Sequence, residues 1–155
     1  MDKLMRALRS FHDSEPAQSL VEFALVLPIF LLLVTGIFDV ARAVWEENTL
    51  AYAAREGTRY AIVHGAGGVP RVGPISSTTN PTTYNTGNIV SAVRNSAVGV
   101  ANIDVTIDYP DNDNQRGHRV TVDATAAFIP LPSYYLLGST FQITLRGGSQ
   151  LVIQR

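Results

Sequence analysis

The run LVEFALVLPIFLLLVTGIFDVARAVW, from Leu20 to Trp45, constrains this chain more than any other feature. No charged residue falls between Phe23 and Phe38, and a helix from Leu20 to Ala41 is long enough to cross about 30 Å of hydrocarbon. The core helix of a soluble domain is normally shorter and apolar on one stripe only. A cleaved secretory signal has a shorter apolar core followed by a small-x-small site. Here Asp39, Arg42, Glu46 and Glu47 follow instead, in helix-forming sequence. The run therefore reads as a retained single-pass anchor bounded by Leu20 and Ala41. Lys3, Arg6 and Arg9 lie before it, so the positive-inside rule keeps the N-terminus cytoplasmic and exports everything after the anchor. Trp45 is placed in the interfacial aromatic belt. Pro28 removes one helix hydrogen bond and is expected to bend the span.

One acid interrupts the apolar character. Glu22 precedes Phe23 near the cytoplasmic end of the run. A charged side chain at mid-bilayer costs ~2.5–3.5 kcal/mol on insertion scales, and less near an end, so an acid retained here is a functional candidate. The plainer alternative is a carboxylate favoured by the helix N-terminus, worth ~0.3–1 kcal/mol.

The 155 residues allow one domain plus the anchor. A net charge of -1 with no concentrated basic face argues against nucleic acid as a partner. The absence of cysteine excludes a disulfide framework and any thiolate metal site.

Nothing breaks the helix after the anchor. From Val40 to His64 there is no proline, Gly57 is the sole glycine, and strong helix formers dominate. A helix from about 20 to 64 is about 65 Å long, so half of it stands outside the bilayer. Val44, Ala51, Ala54, Thr58, Ala61 and Ile62 form an apolar-to-small stripe at 3- and 4-residue spacing. That stripe suits packing against the chain's own domain or against another subunit. Asp39, Arg42, Glu46, Thr49 and Glu56 are assigned to the polar side. Arg55, Glu56 and Arg59 resemble a charged site, but Glu56 and Arg59 are more simply an i,i+3 pair worth a few tenths of a kcal/mol. Gly65 is expected to cap the helix as its C′ residue.

The exported part begins with a Pro- and Gly-rich loop, 65–85, whose GAGGVP lacks the spacing of a phosphate loop. A short helix is expected over Asn88–Val98, with Ile89, Ala92, Val93 and Ala97 on one face and Gly99 ending it. The period then becomes two. Ile103, Val105, Ile107 and Tyr109 alternate with polar residues, as do Val120, Val122, Ala124, Ala126 and Phe128. The turn-rich PDNDNQRG between them predicts an antiparallel hairpin. IPLPSYYLLGS (129–139) reads as a partly buried loop or a single helical turn. Phe141, Ile143 and Leu145 begin another strand. Gly147-Gly148 allows a turn into a short last strand, which is preferred here, or a bulge in one longer strand. The expected class is α+β: a long N-terminal transmembrane helix that continues out of the membrane and packs on a small antiparallel sheet of three to four strands.

No catalytic or metal pattern emerges. DNDNQ (111–115) lacks the glycine and glutamate an EF-hand needs at its sixth and twelfth positions, where Arg116 and Val122 stand. His12, His64 and His118 have no i,i+4 partner. No GxSxG, HExxH or paired-carboxylate pattern is present, so the chain reads as a non-enzyme without a cofactor.

Two stretches carry a resemblance. AQSLVEFALVLPIFLLLVTGIFDVARAV (17–44) and NTLAYAAREGTRYAIVHGA (48–66) resemble the TadE-like proteins, minor pilins or pseudopilins of the bacterial tight-adherence (Flp-type IV) pilus system. The resemblance covers roughly the first 66 residues; the β-rich remainder matches in general character. It implies a basic leader cut on the cytoplasmic side by a prepilin peptidase, with the acid fifth in the mature chain. Counting back from Glu22 places the cut between Ala17 and Gln18. The family's usual residue before the cut is Gly, and this chain has Ala17. The resemblance also implies that Glu22 pairs with the α-amine of Gln18 on a neighbouring subunit and sets axial register, with Phe23 beside it.

The organisation expected is a leader over 1–17, a membrane and amphipathic helix over 18–64, a loop over 65–87 and an exported β-rich domain over 88–155. The partners implied are the membrane, other pilins and the pilus assembly machinery, in the bacterial cytoplasmic membrane or a surface filament. A membrane-tethered exported binding domain unrelated to pili, an adhesin or envelope sensor, is the other class left open.

Overall fold

A computed structural model describes residues 15–74, 86–136, 138 and 140–155. Its elements in order are helix α1 (Glu15–Val63), helix α2 (Gly87–Ser96), strand β1 (Asp104–Asp108), strand β2 (Arg119–Phe128), the short helix α3 (Leu131–Leu136) and strand β3 (Ile143–Val152). The fold is α+β, with one long helix and one three-stranded antiparallel sheet in the order β1-β2-β3.

Helix α1 runs 49 residues, about 74 Å, and continues through Pro28. It starts five residues before the expected Leu20, with Pro16 in its first turn, where a missing N–H is tolerated. Its two halves have opposite surroundings. Every large apolar side chain from Leu20 to Leu33 is 38–70% exposed. From Asp39 onward one face is buried beneath the sheet and α2.

That buried face is Leu50, Ala53, Ala54, Thr58 and Ala61. It corrects the expected stripe at one end: Val44 is exposed, whereas Leu50 and Ala53 are fully buried. The shift arises because the tightest contact is set by the sheet. A Cβ on Gly147 of β3 would collide with the backbone of Leu50 and Ala51, so strand and helix meet there main chain to main chain. Gly57 does the converse from the helix: a Cβ there would strike Val93 of α2 and come within 3.3 Å of Val122 of β2. Thr58, fully buried, donates its hydroxyl to Ala54 O at 2.8 Å and lies 3.3 Å from Ser149 O of β3.

The paired glycines do not form the expected turn. Gly147 and Gly148 lie within one ten-residue strand, opposite Ala124 and Asp123 of β2. Gly147 is present because α1 leaves no room for a side chain, and the ladder continues unbroken to Arg119↔Val152. Gly65 likewise acts by close approach. It is buried against Ile153 and the Arg155 carbonyl, and it is not among the positive-φ residues.

The hairpin forms as its alternation requires. Val120, Val122, Ala124, Ala126 and Phe128 of β2 face the core, and β1 pairs from Asp104↔Thr125 to Asp108↔Thr121. α2 contributes Ile89 and Val93, with Ala97 just beyond it, and Gly99 turns the chain at φ +82. The outer face of the sheet is polar, with Arg146 reaching Asp123 at 2.8 Å. At the mouth of the hairpin Asp111 accepts from the Arg119 guanidinium at 2.9 Å and from the Arg119 N–H at 2.9 Å. These bonds, the side-chain one foremost, hold the Asp111 carboxyl down to about 2. Burial alone pushes the Tyr109 hydroxyl up to about 12.

Two outcomes follow for stability. Gly147→Ala should lower it by more than about 2 kcal/mol, because the helix backbone cannot yield. Gly57→Ala should cost less, since the Val93 side chain can move and alanine gains up to about 1 kcal/mol of helix propensity; Gly36→Ala, with open space around it, should gain that propensity without a clash and be neutral to stabilising. Thermal unfolding of the full chain in detergent ranks the three. The Asp111 carboxyl has a lowered folded-state value, so its contribution is complete above its ordinary 3.8 and disappears as pH falls toward about 2. Urea midpoints of Asp111→Asn should therefore lose part of the acid-limb decline between those values.

Candidate functional site

The residues singled out in the sequence fall in three places along α1. At its start, the backbone of Ala17 and Gln18 is helical, so the expected cut lies within the first turn; the Ala17 side chain lies outside the described residues. So do Lys3, Arg6, Arg9 and His12. One turn above, the Gln18 side-chain amide donates to the Glu22 carboxylate at 3.3 Å. Both side chains are exposed, and Phe23 beside them is exposed as well. Glu22 lies about 120° around the helix from Pro28, where α3 approaches, and so points away from the folded domain.

The middle of the helix holds a polar ladder whose setting was not legible in the sequence. Asp39, Arg42 and Glu46 follow i,i+3,i+7 spacing, with Arg42 3.7 Å from Asp39 and 3.6 Å from Glu46. The polar side assigned to them is partly covered by the rest of the chain. Asp39 is buried and accepts the Leu131 N–H of α3 at 2.7 Å. Arg42 donates to Ile129 O at 2.5 Å and stacks 4.4 Å over the Phe128 ring. The acid and base thus hold the β2–α3 junction against the helix, because its backbone polar groups need partners where the surroundings are apolar. Trp45, one turn past Ala41, is half-exposed and rests on Gly99.

At the far end, the Arg55-Glu56-Gly57-Arg59 motif divides. Arg59 pairs with Glu56 at 3.2 Å on the surface, and Arg55 is exposed. Gly57 is core, so one of the motif's four residues serves packing.

The 111–118 segment is occupied by its own chain. Asp111 is engaged by Arg119, Asp113 accepts the Asn114 N–H at 2.7 Å and lies 3.6 Å from His118, and Asn114 donates to Val72 O at 2.8 Å. Among the described residues no group of three His, Asp or Glu side chains is placed to hold a metal ion.

Removing the Asp39 carboxylate strands the Leu131 N–H and weakens the hold on Arg42. Asp39→Ala should cost ~1–3 kcal/mol, the penalty of a buried unsatisfied group. Hydrogen exchange at Leu131 should accelerate more than that of Val122 in the core strand β2.

No curated protein and no solved structure matches the chain. A family model described as TadE-like protein matches residues 17–59, the stretch from the expected cut through Gly57 to Arg59. Residues 17–59, most of the long N-terminal helix, are similar to the TadE-like family.

Proposed function

We propose that this chain is a structural subunit of Tad-type pilus biogenesis, held in the bacterial cytoplasmic membrane by α1 before assembly. The observation that carries this is the exposed apolar half of α1. Covering a large apolar side chain is worth about 1.5–3 kcal/mol. The set from Leu20 to Leu33 left in water would outweigh the ~5–15 kcal/mol by which a domain is stable. That half needs lipid first and neighbouring helices later. The TadE-like match over the same residues supports the pilus assignment.

In this reading residues 1–17 are a cytoplasmic leader, 18–64 the anchor and extended helix, 65–87 a loop and 88–155 the exported domain. A prepilin peptidase unwinds the first turn of α1 and cuts between Ala17 and Gln18. The new α-amine is cationic at neutral pH. Among the described residues Glu22 accepts from the Gln18 amide, and its side chain is exposed. It is therefore free to meet the Gln18 amine of a neighbouring subunit. An ion pair within lipid or a helix bundle offsets part of the cost of burying both charges and fixes one axial register. Phe23 packs beside it. The role is structural, without catalysis or cofactor, and the partners are other pilins and the assembly machinery.

The mature protein should have the mass of residues 18–155 in cells with the peptidase and full length without it; a full-length mass in both contradicts the cut. Glu22→Ala should abolish assembly while leaving the protein in the membrane fraction. Normal piliation in that variant removes the role assigned to Glu22.

A further inference from the structure

The 22 residues from Ala124 to Leu145 contain no charged side chain, although both neighbours, Asp123 and Arg146, are charged. Their middle forms α3, which lies along the apolar half of α1 instead of standing clear with the rest of the domain. Leu131, Pro132 and Tyr135 face Pro28, Leu31 and Thr35 across an apolar groove of about 400 Å³. Tyr135, Tyr134 and Phe141 are 77%, 57% and 55% exposed beside it.

We propose that α3 and the start of β3 form a lipid-facing foot that dips into the outer leaflet around the spanning helix, with lipid chains filling the groove. This rests on the reading that α1 crosses a membrane. The level along α1 identifies the occupant. If the outer hydrocarbon boundary meets α1 near Phe38, the span reaches about 30 Å down to Gln18 and keeps Glu22 near the inner boundary. The centre of the α3 contact, near Leu32 and Thr35, is then about 5–10 Å inside the outer boundary, the depth at which amphipathic segments rest. Nothing charged need enter with it.

The local polar groups fit that depth, since backbone left unpaired in hydrocarbon is costly. The Leu131 N–H is taken by Asp39 and Ile129 O by Arg42. The Ser133 hydroxyl donates to Phe141 O at 2.9 Å and accepts the Phe141 N–H at 3.2 Å. The tyrosines, exposed and set edge to face at 5.2 Å, are the residue type enriched at the interface. Asp39 and Arg42 then mark the level where protein replaces lipid around the helix. The span therefore ends on the domain's own surface near Phe38, a turn before Ala41.

Fluorescence in lipid vesicles tests this with the full chain. Trp45→Phe removes the sole tryptophan, and single tryptophans are placed in that background. Tyr135→Trp decides the question, with Tyr134→Trp as the second reporter if the first does not fold. Phe30→Trp reports the span, and Val69→Trp reports the far end of α1. In phosphatidylcholine vesicles the expected result is quenching of the α3 reporter by lipids brominated near the headgroup. Phe30→Trp should be quenched by lipids brominated deeper, and Val69→Trp by neither. Quenching at Phe30→Trp with no quenching on α3 overturns the foot and leaves the anchor standing. In that case a water-like emission shows the groove open, and a blue-shifted emission shows it covered by a second copy. No quenching at Phe30→Trp overturns the anchor reading and the foot with it.

Discussion

Main-chain contact between α1 and β3 at Gly147 sets the position of everything else. The sheet is built onto a single continuous helix. Gly147 lets β3 approach Leu50 and Ala51 without a side chain between them. β2 then pairs alongside, placing Val122 against Gly57, and α2 closes the remaining side through Ile89 and Val93. Small residues at each contact keep layers close, and close layers give the dispersion and exclusion of water that a domain of this size depends on. The same rigidity ties the sheet to the exposed apolar half of α1: an axial shift of α1 carries the sheet with it.

The ladder Asp39-Arg42-Glu46 is the second point of attachment, and it lies where the environment changes. Below it α1 meets no sheet; above it α1 is a core helix. Charged side chains there do more for geometry than for net stability, because paired charges in partly buried settings offset much of their own desolvation. Their effect is to give Leu131 N–H and Ile129 O fixed partners, so the uncharged 124–145 segment folds back along the helix.

Much of this architecture was legible in the sequence because periodicity states it directly. The charge-free run from Phe23 to Phe38, the breaker-free stretch from Val40 to His64 and the strict alternation in 119–128 are each stated by the sequence pattern. α2 and the hairpin follow the same logic. What could not be read depends on partners distant in sequence. Gly147-Gly148 signals a turn and a close approach equally, and only the position of Leu50 and Ala51 decides between them. The sequence marks Asp39 and Arg42 only as polar; their partners, the backbone at 129–131, lie about 90 positions away. The charges at 55–59 are conspicuous in the sequence, while Gly57 among them carries the packing. The local Gln18–Glu22 bond is an i,i+4 contact that spacing alone anticipates.

The central claim is that anchor and core share one unbroken helix. Since the chain has no cysteine, spin labels can be placed singly at Phe23→Cys and Val63→Cys, both exposed sites. Electron–electron distance measurement in lipid nanodiscs should give one narrow population near 60 Å, the length of 40 helical residues. A broad distribution centred well below that value would show a hinge between anchor and domain and contradict the account.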